Sequence, residues 1–184
     1  MLKVGIIIGS TRPGRKAEAV AQWVHGIASA RTDAQFELVD IAEFNLPLLD
    51  EAMPPAYGQY AHDHTQKWAA KIAEFDAFVM VTPEYNHSTS GALKNAIDFL
   101  YKEWNHKSVG FVGYGSAMGV RAIEHLRQIV GELMMADVRQ AVQLSLFTDF
   151  ENFAAFKPAE HHEKTVHTML DQVIAWGGAL KTLR

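Results

Sequence analysis

Cysteine is absent from these 184 residues. That excludes a disulfide framework, a thiolate nucleophile and a cysteine-ligated metal, and it agrees with a reducing compartment. Long apolar runs are missing as well: none approaches the ~20 residues needed to span a bilayer. The opening MLKVGIIIGS passes through one short apolar run into a Gly-Ser turn, without the apolar length or small-residue cleavage site of a signal peptide. No Lys/Arg-rich run exists, and a net charge of −4 gives no electrostatic footprint for nucleic acid. There is no G-x-S-x-G nucleophile elbow, no internal repeat and no low-complexity linker. The expectation is a cytoplasmic protein, one domain over residues 1–184, with no nucleic-acid or membrane partner.

What is present is organised around Phe75–Tyr101, FDAFVMVTPEYNHSTSGALKNAIDFLY. Ala77–Thr82 is too short for an ordinary helix and rich in β-branched and aromatic residues, as a strand buried on both faces would be. It breaks at Pro83. A polar loop follows, and then Leu93, Ala96, Ile97 and Leu100 recur at helical spacing. Such a loop lies at the carboxyl end of a strand, where open α/β sheets bind ligands.

The rest of the chain repeats this unit. Lys3–Ile8, Phe36–Asp40, Ser108–Tyr114 and Val138–Leu146 read as strands. Helical spacing marks Val20, Val24, Ile27 and Ala28, then Tyr60–Glu74, then Met118–Leu133, then about Ala159–Lys181. Ile41–Tyr57 carries Pro47, Pro54 and Pro55 and reads as irregular; Phe147–Pro158 reads as a loop. Strict alternation of strand and helix implies a three-layer doubly wound α/β fold. With five parallel strands the common order is 2-1-3-4-5. That order brings three loops to one crevice: Gly9–Lys16, Pro83–Ser90 and Gly113–Ala117.

The first loop offers Ser10, Thr11, Arg12 and Arg15 ahead of a helix N-terminus, where free N–H groups and the helix dipole suit an anion. A Gly-Pro turn with solvated cations has the same composition. The loop is not a Walker A motif, because Arg15 and Lys16 stand where Lys and a hydroxyl are required. It is not G-x-G-x-x-G either, since Thr11 replaces the second glycine. A monophosphate held by hydroxyls and N–H groups fits better than a pyrophosphate. In the second loop Pro83, Glu84, Tyr85, Asn86 and Ser88 could give a flat heteroaromatic ring an apolar wall and edge donors; a solvated loop is the alternative. His87 reads as a polar loop residue. In the third, Tyr114, Gly115 and Ser116 combine a further wall with close backbone approach.

GSTRPGR after the first strand, PEYNHSTSGALKNAIDFLY, and GYGS with Arg121 and Leu126-Arg127 beyond it resemble the NADPH-dependent FMN reductase family, which is flavodoxin-like and includes quinone, chromate and azo-dye reductases. The resemblance spans roughly Lys3 to Val142. It implies FMN bound non-covalently, its phosphate at Ser10–Arg15 and its ring against Pro83–Asn86 and Tyr114–Ser116. It also implies NADPH or NADH as co-substrate and a homodimer or homotetramer. Many members close the phosphate loop with a small hydroxyl residue and then Asn; Arg15 and Ala17 stand there here.

The function expected is an FMN-dependent NAD(P)H oxidoreductase. It would pass hydride from nicotinamide to flavin and on to a quinone, flavin, nitro or azo compound or metal oxyanion, by a ping-pong mechanism. No side chain need act as acid or base. A flavodoxin-type one-electron carrier is the alternative, and a flavin-free interaction module a third. NADH or NADPH preference stays open. His62 and His64 lie two apart, wrong for one helix face, and no metal site is expected. His161-His162 reads as solvated. Trp68, Trp104 and Trp176 read as core or interface, and Phe99-Leu100-Tyr101 with Trp104 as part of a subunit contact or of one subunit's core.

Overall fold

The computed structural model describes residues 1–184. Five strands, β1 Leu2–Ile8, β2 Ala34–Asp40, β3 Ala77–Pro83, β4 Ser108–Gly115 and β5 Ala136–Ser145, alternate with α1 Ala17–Ser29, α2 Asp63–Ala73, α3 Gly91–Asp98, α4 Val120–Glu132 and α5 His161–Leu180. The strands are parallel in the order β2-β1-β3-β4-β5. This is the expected flavodoxin-like sandwich.

Side-chain alternation explains the three layers. In β1 and β3, Ile6, Val79 and Val81 face α1 and α5, while Ile7, Phe78 and Met80 face α2, α3 and α4. Each face carries a cluster of 22 buried residues, so neither side of the sheet is left to water. All seven residues of β3 are buried, as its unbroken apolar run requires.

Several boundaries differ from the sequence reading. Met118 lies outside α4, because Met118 and Gly119 both adopt positive φ, 56° and 71°, and the helix begins only after them. Tyr60 precedes α2; its hydroxyl instead donates to Glu103 at 2.7 Å. The Phe147–Pro158 loop contains a small antiparallel hairpin, β6 Phe150–Glu151 with β7 Ala155–Phe156.

Asp149 anchors that hairpin. Its carboxylate accepts from Ser145 N at 2.8 Å and Ala159 N at 3.1 Å, and His162 Nε2 lies 3.0 Å away. Burial opposes the charge on Asp149, but these donors outweigh it and hold its carboxyl below the usual range. His162 is thus packed on Asp149 rather than solvated. Phe99, Leu100, Trp68 and Trp104 are all buried within the chain, so that aromatic cluster is core; Trp176 is about half exposed.

Lys107 is a buried cation with little to hold it. It is 3% exposed, donates to the Ile72 carbonyl at 2.9 Å and stands 5.4 Å from the Phe78 ring centroid. Burial, with the Arg184 charge adding, lowers its pKa to about 8. The unfolded chain would titrate this lysine near ~10.4. Between those values the unfolded state binds more protons, so this group makes stability rise with pH across that window, and below it charged Lys107 destabilises the fold. Lys107→Met is expected to stabilise the protein at pH ~7 by about 2 kcal/mol and to flatten the rise above pH ~8. Urea melts at neutral and alkaline pH measure both effects; a less stable variant at neutral pH would contradict this account.

Candidate functional site

The carboxyl ends of β1, β3 and β4 lie side by side, and three loops leave them together. Gly9 starts the first. Its N–H donates to the Val81 carbonyl at 2.8 Å, and a Cβ there would stand 2.4 Å from the same oxygen. Only glycine lets β1 turn this close to β3. Ser10 follows, buried, its Oγ 3.2 Å from the Tyr85 hydroxyl. The N–H groups of Thr11, Gly14 and Lys16 donate to nothing in the chain, and α1 starts with no side-chain cap. The loop therefore presents free donors at a helix N-terminus.

The two arginines of this loop have different situations. Arg15 donates through Nη1 to Asp40 Oδ1 at 2.8 Å and to the Ser10 carbonyl at 2.7 Å, and its Nη2 completes a bidentate pair with Asp40. It braces the loop from inside. Arg12 is exposed, its guanidinium 5.9 Å from the Tyr85 ring centroid. Asp40 ends β2 and pairs in register with Ile8, which is why it reaches a loop that follows β1.

In the second loop, Tyr85 and Ser88 exchange backbone hydrogen bonds, N to O, at 2.9 and 3.1 Å. Asn86 and His87 between them have φ of 47° and 73°. This is a two-residue turn of the I′ kind, which needs positive φ at both central positions. Glu84 is turned away from its neighbours: its carboxylate accepts from Arg121 Nε at 2.5 Å and from Arg121 N at 3.2 Å. It thus pairs a charge and caps the first turn of α4 at once. Arg121 also reaches His87 Nδ1 at 3.1 Å.

The third loop is fixed by small residues. Glu84 N donates to the Tyr114 carbonyl at 3.0 Å, and a Cβ on Gly115 would meet the Glu84 Cβ at 3.1 Å. Tyr114 is buried rather than offered as an open wall, and its hydroxyl is shut off from solvent near the Ala17 N–H of α1, without a well-formed hydrogen bond. Burial raises its pKa, with Tyr85 adding, so it stays a phenol with a proton to donate.

These pieces enclose a cavity of about 290 Å³, lined among others by Arg12, Gly14, Lys16, Pro83, Tyr85, Tyr114 and Gly115. Leu146 and Phe153 also line it; neither stands out in sequence. Not every expected residue joins it. Thr11 opens on a neighbouring cavity with Ile41, Asn45 and Asn95. Ser88 turns to His125, Oγ to Nδ1 2.9 Å, and lines a third cavity with Thr89 and Lys94. Asn86 and Ser116 are exposed and do not line it. The free loop donors and the Pro83–Tyr85 surface fit a flavin mononucleotide: donors for a phosphate, flat apolar surface for a ring. No nucleophile–base pair stands in the crevice.

Fold and crevice together define a flavodoxin-like protein with a cavity at the switch point of its sheet. Residues 2–149 match the family described as NADPH-dependent FMN reductase. The chain belongs to that family and is a flavin oxidoreductase that uses FMN and NAD(P)H. It is similar to the NAD(P)H-dependent FMN reductase ntnL of Nectria sp., 41% identical over 141 residues, covering 73% of this chain and 70% of that protein. It is also similar to the quinone reductase of Escherichia coli, 36% identical over 135 residues, covering 70% of this chain and 69% of that one. Among solved structures it resembles the flavoenzyme NAD(P)H:(acceptor) oxidoreductase FerB of Paracoccus denitrificans, with a TM-score of 0.74 over 97% of this chain and 98% of that one. At 21% identity that likeness speaks to fold alone.

Proposed function

We propose that the chain binds FMN in this crevice and reduces small planar acceptors, quinones first, with NAD(P)H and acceptor entering in turn. The observation that carries this reading is the meeting, in one cavity, of an uncapped helix N-terminus and free loop N–H groups with the Pro83–Tyr85 surface. The names of the relatives support it: one is an FMN reductase and another a quinone reductase. Azo compounds are a further acceptor class. A relative from Staphylococcus saprophyticus, 29% identical over 175 residues and covering 93% of each chain, is an FMN-dependent NADPH-azoreductase.

In this reading Ser10, Arg12 and the free N–H groups, that of Thr11 among them, hold the phosphate, and Arg15 on Asp40 fixes the loop's shape. Pro83, Glu84, Tyr85 and Asn86 back the ring on one side, Tyr114, Gly115 and Ser116 on the other, and Ser88 secures the turn through His125. FMN, when bound, supplies the two-electron chemistry; the protein contributes binding, orientation and electrostatics. A shared crevice gives ping-pong kinetics, and a homodimer or homotetramer completes the mouth of the site.

The test is a visible spectrum after incubation with FMN and desalting. Flavin bands near ~450 nm that bleach on adding NADPH under argon support the reductase. Bands that NADPH leaves untouched would favour a one-electron carrier, and a colourless protein would remove the cofactor altogether. Arg12→Ala is expected to weaken FMN binding by about tenfold or more through loss of a charge-assisted bond, with little change in thermal stability. Arg15→Ala and Asp40→Ala should instead resemble one another, lowering stability and FMN affinity together. Equal stability loss from Arg12→Ala would contradict this division of roles.

A further inference from the structure

The tip of the β6–β7 hairpin presents an aromatic residue in a backbone conformation that aromatic residues avoid. Phe153 has φ 56°, next to Asn152 at 50°. Left-handed geometry suits Gly or Asn, and a bulky residue there is an outlier. The ring is also 56% exposed, and its T-shaped neighbour Phe147, at 5.5 Å, is 65% exposed. Local preference and burial both argue against phenylalanine here. Strain of this sort persists where the surroundings impose it, and it gathers at ligand sites.

The surroundings do impose it. The body of the hairpin is fixed: Phe150 is buried against Tyr114, ring centroids 6.1 Å apart, and Phe156 meets Trp23 of α1 edge-on at 5.5 Å. Asp149 ties both its ends, through Ser145 N and Ala159 N. Held in this way, the tip reaches the crevice, where Phe153 forms part of the wall with Arg12, Lys16 and Tyr85. It lies beyond the segment, residues 2–149, that the family shares.

We propose that Phe153 is a ligand-contacting residue of the flavin site: its ring packs against bound FMN, covers it from solvent and slows its release. This rests on the FMN reading above. Phe147 packs edge-on against the same ring. The backbone strain is the cost of placing an aromatic face at the one point where the hairpin meets the phosphate-side loop.

Three variants separate ring from strain. Phe153→Ala removes the ring and keeps the unfavourable backbone; Phe153→Asn removes the ring and relieves it; Phe153→Tyr keeps both. FMN is titrated into each apoprotein by quenching of flavin fluorescence, release is timed by dilution, and the apoproteins are melted. Loss of one stacking face should raise the FMN Kd about tenfold in the Ala and Asn variants and hasten release, with Tyr within about threefold of the parent. The Asn variant should melt above the parent apoprotein while binding FMN less well, an opposition that a merely structural residue would not produce. Unchanged Kd and release in both ring-less variants would overturn the proposal; if the KM for a quinone alone then rose, the ring would face the acceptor instead. Failure of the unsubstituted protein to take up FMN would remove the cofactor reading itself, and the two failures are told apart by that control.

Discussion

Gly119→Ala is expected to dismantle the third loop and with it FMN binding. Gly119 has φ +71°, and a Cβ would stand 2.5 Å from Tyr114 N and 2.6 Å from the Gly113 carbonyl carbon. Both obstacles are backbone of β4, paired on one side with β3 and on the other with β5, so neither can swing aside as a side chain could. The left-handed conformation adds about 1–2 kcal/mol to overpacking of about 1–3 kcal/mol. A loss near ~3 kcal/mol lowers Tm by roughly 6–12 °C in a chain of this size. The site suffers more than the fold, because Gly119 carries the connection from Gly115 to α4: its carbonyl accepts from Ile123 N at 3.0 Å. Pushing Gly119 away from Gly113 displaces Gly115 and frees Glu84 from the start of α4. Thermal melts and FMN titration test this together. A variant that melts with the parent and binds FMN equally would show that the close approach is not needed.

Trp68→Ala is expected to have a comparable or larger effect on stability, with a different profile. Trp68 is fully buried; it meets Phe44 at 4.7 Å and Trp104 at 6.2 Å between ring centroids. Its Nε1 donates to the Ala96 carbonyl of α3 at 2.8 Å, tying α2 to the helix that follows the second loop. Truncation should cost about 3–5 kcal/mol, enough to shift Tm by roughly 6–20 °C. Trp68→Phe keeps most of the volume and loses the N–H, so a smaller cost of about 1–2 kcal/mol is expected from the unpaired carbonyl and the missing ring. Below its melting range Trp68→Ala should still bind FMN, since Trp68 does not line the crevice. Denaturant curves for both variants decide it; equal costs would mean that the hydrogen bond, and not the packing, holds the helices.

Much of the crevice was legible because it lies where strands end. Apolar runs announce β1, β3 and β4, and residues at or just after their ends line it: Arg12, Pro83, Tyr85, Gly115. What was not legible depends on neighbours distant in sequence. Arg15 and Arg12 look alike in the string; only the arrival of Asp40 from β2 makes one a brace and leaves the other free. Glu84 reads as a ring contact, yet its carboxylate is held by Arg121. Ser88 is carried to His125 by a turn whose sign of φ the letters Asn-His do not announce. Phe153 was hidden in a segment without period, because a hairpin of two-residue strands leaves too short an alternation to detect.

The amino-acid order by itself determined the alternation of strand and helix, the buried sheet and the family. Those follow from hydrophobic period and local motif, which act over a few residues at a time. Only the tertiary structure decided which charge answers which, which hydroxyl is shut off from solvent and which ring reaches the cavity. Hydrogen bonds and ion pairs form over a few ångströms between residues that may be 75 apart in the chain, as Ser10 and Tyr85 are, and no local pattern encodes that distance.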